Sequence, residues 1–217
     1  MKRVAALIQN KYPNYQELAK GMYNNNYDDK WEKPMYKGNS VFEELKKKYG
    51  HLSLTRNMIV DLFKQGKYFD GFLCAMVWGN MGTYRGGKKR FQSVFDNSNK
   101  NKIDNVVAML MNGDIENAYI SLCDKNENGI IGLGVSFFTK LLYFAGASIN
   151  NLPFQPLIYD RIMSQRYTRI LSIIGENKPR GEYDRYKDYC EKIEELRKLL
   201  KLQSVGQVEA LLFTYAI

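Results

Sequence analysis

Lys140 is the single charged residue in the run Gly129 to Ala147, with Phe137, Phe138, Leu141, Leu142, Tyr143 and Phe144 as neighbours. An amine held among such side chains loses hydration, which disfavours its ammonium form. The neutral amine is the form that attacks carbon electrophiles and makes Schiff bases. The alternative is a lysine that runs along a core helix and brings its head group out to water. Twenty residues later, Pro156-Leu-Ile-Tyr-Asp160-Arg161 leads from an Asn- and Pro-rich loop into a helix. Asp160 is there either a helix cap or a fixed carboxylate that stabilises positive charge developing on a ligand.

Other residue types point to phosphate. Gly129, Gly132 and Gly134 fall between two helical segments. They make either an inter-helix turn or a place where backbone N–H groups meet an anion at close range. Arg85, Lys88, Lys89 and Arg90, with Lys100 and Lys102 against Asp96, leave +5 over eighteen residues. Such a cluster interacts with phosphates through counterion release, or it is a solvated loop. Trp78 and Asn80 lie just before it. Asp124-x-Asn126-x-Asn128-Gly129-x-Ile131 copies half of a calcium loop, but Val135 stands where the bidentate Glu belongs, so calcium sensing is rejected. His51 is the only histidine, which excludes His-rich metal sites and leaves any Ser-His-Asp or Cys-His mechanism to one residue.

The elements that must position these residues are helical. Ser40 to Glu43 reads as a capping box for a helix ending at Gly50, and Thr55 caps the next. Further helices are expected around Phe69–Val77, Val106–Met111, Ile115–Cys123, and over 135–146, 157–173, 181–201 and 204–215. All five prolines fall between them. The stretches Asn24–Asn26 and Asp96–Lys102 read as surface loops, and the interleaved charges of 181–201 as a solvated, salt-bridged face. No stretch alternates as a strand does, so about ten helices and an all-α fold are predicted.

With 217 residues, 45% of them hydrophobic and 25% charged, the chain can bury a sizeable core and is not disordered. The formal charge of +9 and a pI near 9.3 favour polyanionic partners, with nucleic acid ahead of a membrane surface. Cys74, Cys123 and Cys190 have no paired spacing, which fits a reducing cytoplasm. A lysine at the centre of the longest apolar run costs roughly 2.5–3.5 kcal/mol on insertion scales, which argues against a membrane span. No secretory signal pattern opens the sequence.

Taken together, a helix, a Gly-x-Gly turn, a second helix bearing Thr139-Lys140, and a Pro-containing loop delivering Asp160 resemble the helix-hairpin-helix DNA glycosylases. Within that superfamily the segment around 115–170 looks most like the 8-oxoguanine DNA glycosylases, whose Pro-Val-Asp-type motif is matched in a longer form by Pro156 to Asp160. The resemblance implies a bundle of two interleaved helical subdomains in which residues 1–217 are a single catalytic unit, the helical core without an extra N-terminal domain. It implies a monomer acting on double-stranded DNA that carries a damaged or modified base, with neither metal nor organic cofactor in the chemistry. A monovalent ion on the hairpin carbonyls is compatible with it.

By the same resemblance Lys140 is the nucleophile and Asp160 the stabiliser of an oxocarbenium-like transition state. Gly129, Gly132 and Gly134, with Arg85, Lys88, Lys89 and Arg90, bind DNA. Trp78 or Asn80 fills the gap left by a flipped base, and Phe137, Phe138, Tyr143 or Tyr215 stacks on that base. The sequence departs from the family pattern in one respect. The pattern sets the lysine two positions after the second hairpin glycine, which is Ser136 here, whereas Lys140 comes one helical turn later. If the common register applies, the chain is a non-lyase glycosylase or a non-enzymatic binder on the same fold. An all-α adaptor in a protein complex is the reading from another class. Repair and anti-phage defence are both compatible settings.

Overall fold

Twelve α-helices and no strand are present among the residues that the computed structural model describes, which are 1–23, 31–32, 36–81, 87–123 and 126–215. The all-α expectation holds, and Lys2–Lys11 (α1) and Tyr15–Tyr23 (α2), on either side of Pro13, together with Gly87–Val94 are helices beyond the segments expected. The chain forms two compact units. One is contiguous, 26–156, and carries Lys140. The other joins 1–25 to 157–217 and carries Asp160. We call them the lysine unit and the aspartate unit.

The lysine unit contains α3 (Ser40–Tyr49), α4 (Arg56–Lys64), α5 (Tyr68–Trp78), α6 (Gly87–Val94), α7 (Lys100–Met111), α8 (Ile115–Ser121) and α9 (Val135–Gly146). Its centre is α5, which is buried continuously from Gly71 to Val77, as expected of a helix that is apolar all round. Helices α4, α7 and α9 pack on it. A second cluster stacks Tyr36, Phe42, Phe91 and Phe95 at ring separations of 4.1 to 6.1 Å. Burial there pushes the Tyr36 phenol up to about 12.

The aspartate unit contains α1, α2, α10 (Arg161–Ile174), α11 (Glu182–Leu200) and α12 (Val205–Thr214). One face of α11 is core, with Tyr186, Tyr189, Cys190, Ile193, Leu196 and Leu200 buried. Its outer face carries the ion pairs that the charge pattern suggested, including Lys192 to Glu176 at 2.7 Å and Arg197 to Glu194 at 2.7 Å.

Several boundaries are set by side chains that capture backbone N–H groups. Thr55 caps α4 as expected, accepting from Met58 N at 3.1 Å. Helix α3 is capped by Asn39, which accepts from Phe42 N at 2.9 Å, so Ser40 is inside the helix rather than at its cap. A cap of this kind contributes about 1 kcal/mol. The loop expected over Asp96–Lys102 is instead a short 3-10 turn capped by Asp96, running straight into α7 at Lys100. The helix expected over 157–173 begins only at Arg161. Asp160 caps it, accepting from Met163 N at 2.9 Å, and Leu157 to Tyr159 precede the helix. The stretch Asn24–Asn26 lies outside the described residues.

Candidate active site

Helix α9 enters the core immediately after the hairpin turn, which explains why its one charged residue is buried. Lys140 is 6% exposed. Its side chain follows the helix back toward the N-terminus, as helical side chains do, and its amine donates to the Ser136 carbonyl at 2.6 Å. The amine lies 4.8 Å from the centre of the Phe137 ring. The stem is supported from α5. A Cβ added to Gly79, the residue closing α5, would come within 2.7 Å of Lys140 Cδ and Cε, so the lysine lies directly against a backbone that has no side chain.

From this point contacts lead to both sides of the lysine unit. The Arg90 guanidinium lies 5.8 Å from the Phe137 ring, and its Cγ would be 3.0 Å from a Cβ at Gly132, which has a left-handed φ of +84°. The hairpin turn is tied down by side chains from α6 and α7. Ser93 donates to the Ile131 carbonyl at 2.8 Å, and the Lys102 ammonium donates to the Gly129 carbonyl at 2.7 Å. Lys102, counted with the basic cluster, is therefore engaged with the hairpin. Ile131 at the turn is 82% exposed. Asn126 donates to the Ile120 carbonyl and Asn128 accepts from Asn105, so these two residues of the half calcium loop hold the turn together.

Gly134 is the N-cap of α9, with ordinary extended backbone (φ −73°, ψ 170°) and no side-chain cap. Lys88 and Lys89 are exposed at the start of α6 and Arg90 is half-buried. Arg85 lies outside the described residues.

On the other side of Lys140, Trp78 packs edge-on against Phe144 at 5.4 Å. The Arg56 guanidinium sits 4.7 Å from the Trp78 ring and 5.1 Å from that of Tyr143. Asn80 takes a left-handed φ of 58°. With Asn80 N bonded to Val77 O and Met81 N to Met76 O, it terminates α5 in a Schellman motif. Trp78 and Asn80 thus both have structural work at the end of α5. Phe138 and Tyr143 are core residues, Phe138 packing on Tyr119 at 5.0 Å. Tyr215 belongs to the aspartate unit and packs on Tyr12 at 5.0 Å.

Asp160, half-buried, stands at the N-terminus of α10 and accepts from Met163 N at 2.9 Å. The residues leading to it are held by α11 and α12. Tyr186 Oη accepts from Leu157 N at 3.0 Å and lies 2.9 Å from Leu157 O. Glu209 accepts from Ile158 N at 2.8 Å. The Tyr189 hydroxyl lies 3.0 Å from Ile158 O and 3.2 Å from the same Glu209 oxygen. The sequence reading identified neither these three residues nor Gly79 and Arg56 as parts of a site. Gly79 only follows the expected Phe69–Val77 helix, and Glu209 lies inside the segment 204–215 expected to be helical.

Residues 23–213 match the model of a protein family described as "Putative 8-oxoguanine DNA glycosylase OGG-like protein". No curated protein and no solved structure matches the chain.

Proposed function

The chain belongs to this OGG-like family, and on that premise we propose that it is a DNA N-glycosylase with associated β-elimination activity, excising an oxidised or otherwise modified purine such as 8-oxoguanine. The observation that carries the reading is the course of the Lys140 side chain. The residue is one turn late by sequence, but its amine reaches back to the Ser136 carbonyl, the level of the helix where the family pattern expects the lysine. A neutral amine that donates one N–H to that carbonyl keeps its lone pair for attack.

In the reaction the Lys140 nitrogen forms a bond to C1′ of the deoxyribose as the bond from C1′ to the base nitrogen breaks. The base departs with that electron pair and takes up a proton, and the lysine nitrogen loses one. The Asp160 carboxylate stabilises the positive charge that grows on the sugar ring. Ring opening gives the Schiff base, and loss of a C2′ proton with departure of the 3′ phosphate nicks the strand.

The hairpin supplies the grip on the backbone. At Gly134 a Cβ would meet nothing within 4 Å and the φ is one any residue adopts, so the fold itself does not call for glycine there. Close approach of a phosphate to the uncapped N-terminus of α9 does call for it. Lys88 and Lys89, exposed on α6, add charge without sequence preference. Gly134→Ala is expected to leave the thermal melt unchanged while weakening duplex binding about tenfold in a fluorescence titration.

The deciding experiment is borohydride trapping on duplex DNA containing 8-oxoguanine or an abasic site. Wild type is expected to form a covalent adduct and Lys140→Gln none, with excision reduced roughly 10³-fold or more. Absence of an adduct on both substrates, with salt-sensitive binding retained, would leave a non-enzymatic DNA binder on the same fold.

A further inference from the structure

We infer that Glu209, acting with Tyr189, is the positioning residue for Asp160. The inference rests on the glycosylase reading and deepens it. The four residues Leu157 to Asp160 connect the buried Pro156 to the first turn of α10. A buried segment of this kind must find partners for its peptide groups. Here side chains supply them at two successive residues. Tyr186 brackets the peptide groups of Leu157, and Glu209 with Tyr189 brackets those of Ile158.

Glu209 is 3% exposed and both tyrosines are fully enclosed. A carboxylate placed so deep is held in position by the donor facing it, here Ile158 N at 2.8 Å, while the single Tyr189 hydroxyl proton is shared between Glu209 at 3.2 Å and the Ile158 carbonyl at 3.0 Å. Tyr159, next in the segment, adds its ring against Tyr189 at 4.9 Å. Asp160 follows immediately, and its own side chain is fixed by the cap to Met163 N. Two constraints thus set the carboxylate: the cap orients it, and the bond from Ile158 to Glu209 fixes where along the segment it emerges. Without Glu209 the Ile158 N–H loses this acceptor, and a shift of about 1 Å in a catalytic group costs up to about 10²-fold in rate. Glu209 touches no substrate in this scheme and acts wholly through Asp160.

The test uses the full chain with Glu209→Gln, which keeps an acceptor oxygen, and Glu209→Leu, which removes it at similar volume. Tyr189→Phe, which deletes one hydroxyl, is the milder companion should Glu209→Leu not fold. Two readouts are taken. Amide hydrogen exchange over 157–163 is expected to quicken at least about tenfold in Glu209→Leu, less in Tyr189→Phe, and by under about threefold in Glu209→Gln, with peptides of the lysine unit unchanged. Single-turnover excision is expected to fall about 10²-fold in Glu209→Leu at unchanged DNA affinity, to stay near wild type in Glu209→Gln, and to fall no further when Glu209→Leu is added to Asp160→Asn.

Exchange confined to other regions, full excision in Glu209→Leu, or a loss that simply adds to that of Asp160→Asn would overturn the proposal. A wild type without excision would instead overturn the glycosylase reading. The exchange experiment would still decide whether Glu209 holds the segment that carries Asp160.

Discussion

Between Lys140 and Asp160 the chain changes the way it holds a functional side chain. Lys140 is placed mostly by its own helix, since its amine bonds to a carbonyl four residues back and its ring neighbour Phe137 is three residues back. Asp160 is delivered by a segment whose backbone is bonded to residues 29, 31 and 51 positions away. The bond to Ser136 therefore follows once α9 forms, with Gly79 at the end of α5 seating the stem. The aspartate geometry exists only after α11 and α12 have packed. Local placement survives distant mutations, whereas long-range placement makes remote residues matter to chemistry.

The largest effect that sharpens this contrast is expected at Asp160 itself. Asp160→Asn preserves the cap, since asparagine and aspartate cap about equally well, but removes the charge. Excision is expected to fall roughly 10²- to 10³-fold with the melting temperature unchanged. Asp160→Ala loses the cap as well, about 1 kcal/mol, which lowers the melting temperature by about 2–4 °C. Full excision by Asp160→Asn would reduce Asp160 to a helix cap and end the comparison.

A smaller effect is expected at Gly79, which seats the Lys140 stem from outside its helix. The added methyl of Gly79→Ala would sit 2.7 Å from Lys140 Cδ and Cε. The flexible stem gives way more readily than the backbone, so stability changes little. The amine shifts, and adduct formation is expected to slow by about tenfold or more. Unchanged trapping would mean that the bond to Ser136 alone sets the amine.

The smallest effect is one of pH. Burial, first among the causes, raises the Tyr186 and Tyr189 phenols well above the ordinary 10.0, and the Glu209 carboxylate beside Tyr189 adds to it there. Burial also raises the Cys74 and Cys190 thiols above 9.0. The folded chain therefore keeps protons that the unfolded chain releases. Stability from these groups is complete below about pH 9 and declines as pH rises past 9 and then 10. Urea melts between pH 8 and 11 measure the slope, and Tyr189→Phe is expected to make it shallower above pH 10. An equal slope in that variant would remove Tyr189 from the account.

The contrast also explains which features were legible in the sequence. The start and end of α9, the Thr55 cap and the position of Lys140 depend on spacings of one to four residues, and a linear reading catches such spacings. Asp160 was legible as a cap for the same reason. The start of α10 was misread because Leu157, Ile158 and Tyr159 are apolar residues that extend a helical pattern. What keeps them out of the helix is hydrogen bonding to Tyr186, Tyr189 and Glu209, which no local spacing encodes. Gly79 is not legible as a seat for Lys140, because the lysine that fills the space lies on another helix.

The discontinuity of the aspartate unit has a further consequence, in the order of synthesis. Residues 26–156 are contiguous, so the lysine unit can close as soon as it has left the ribosome. Helices α1 and α2 are made before the lysine unit, yet their partners α10, α11 and α12 are made after it. At about 5–20 residues per second, residues 157–217 take roughly 3–12 s to synthesise. Throughout that interval Val4, Ala5 and Ile8, which end up buried in the finished protein, have no covering helix. A nascent chain in that state therefore carries an apolar helix face open to water.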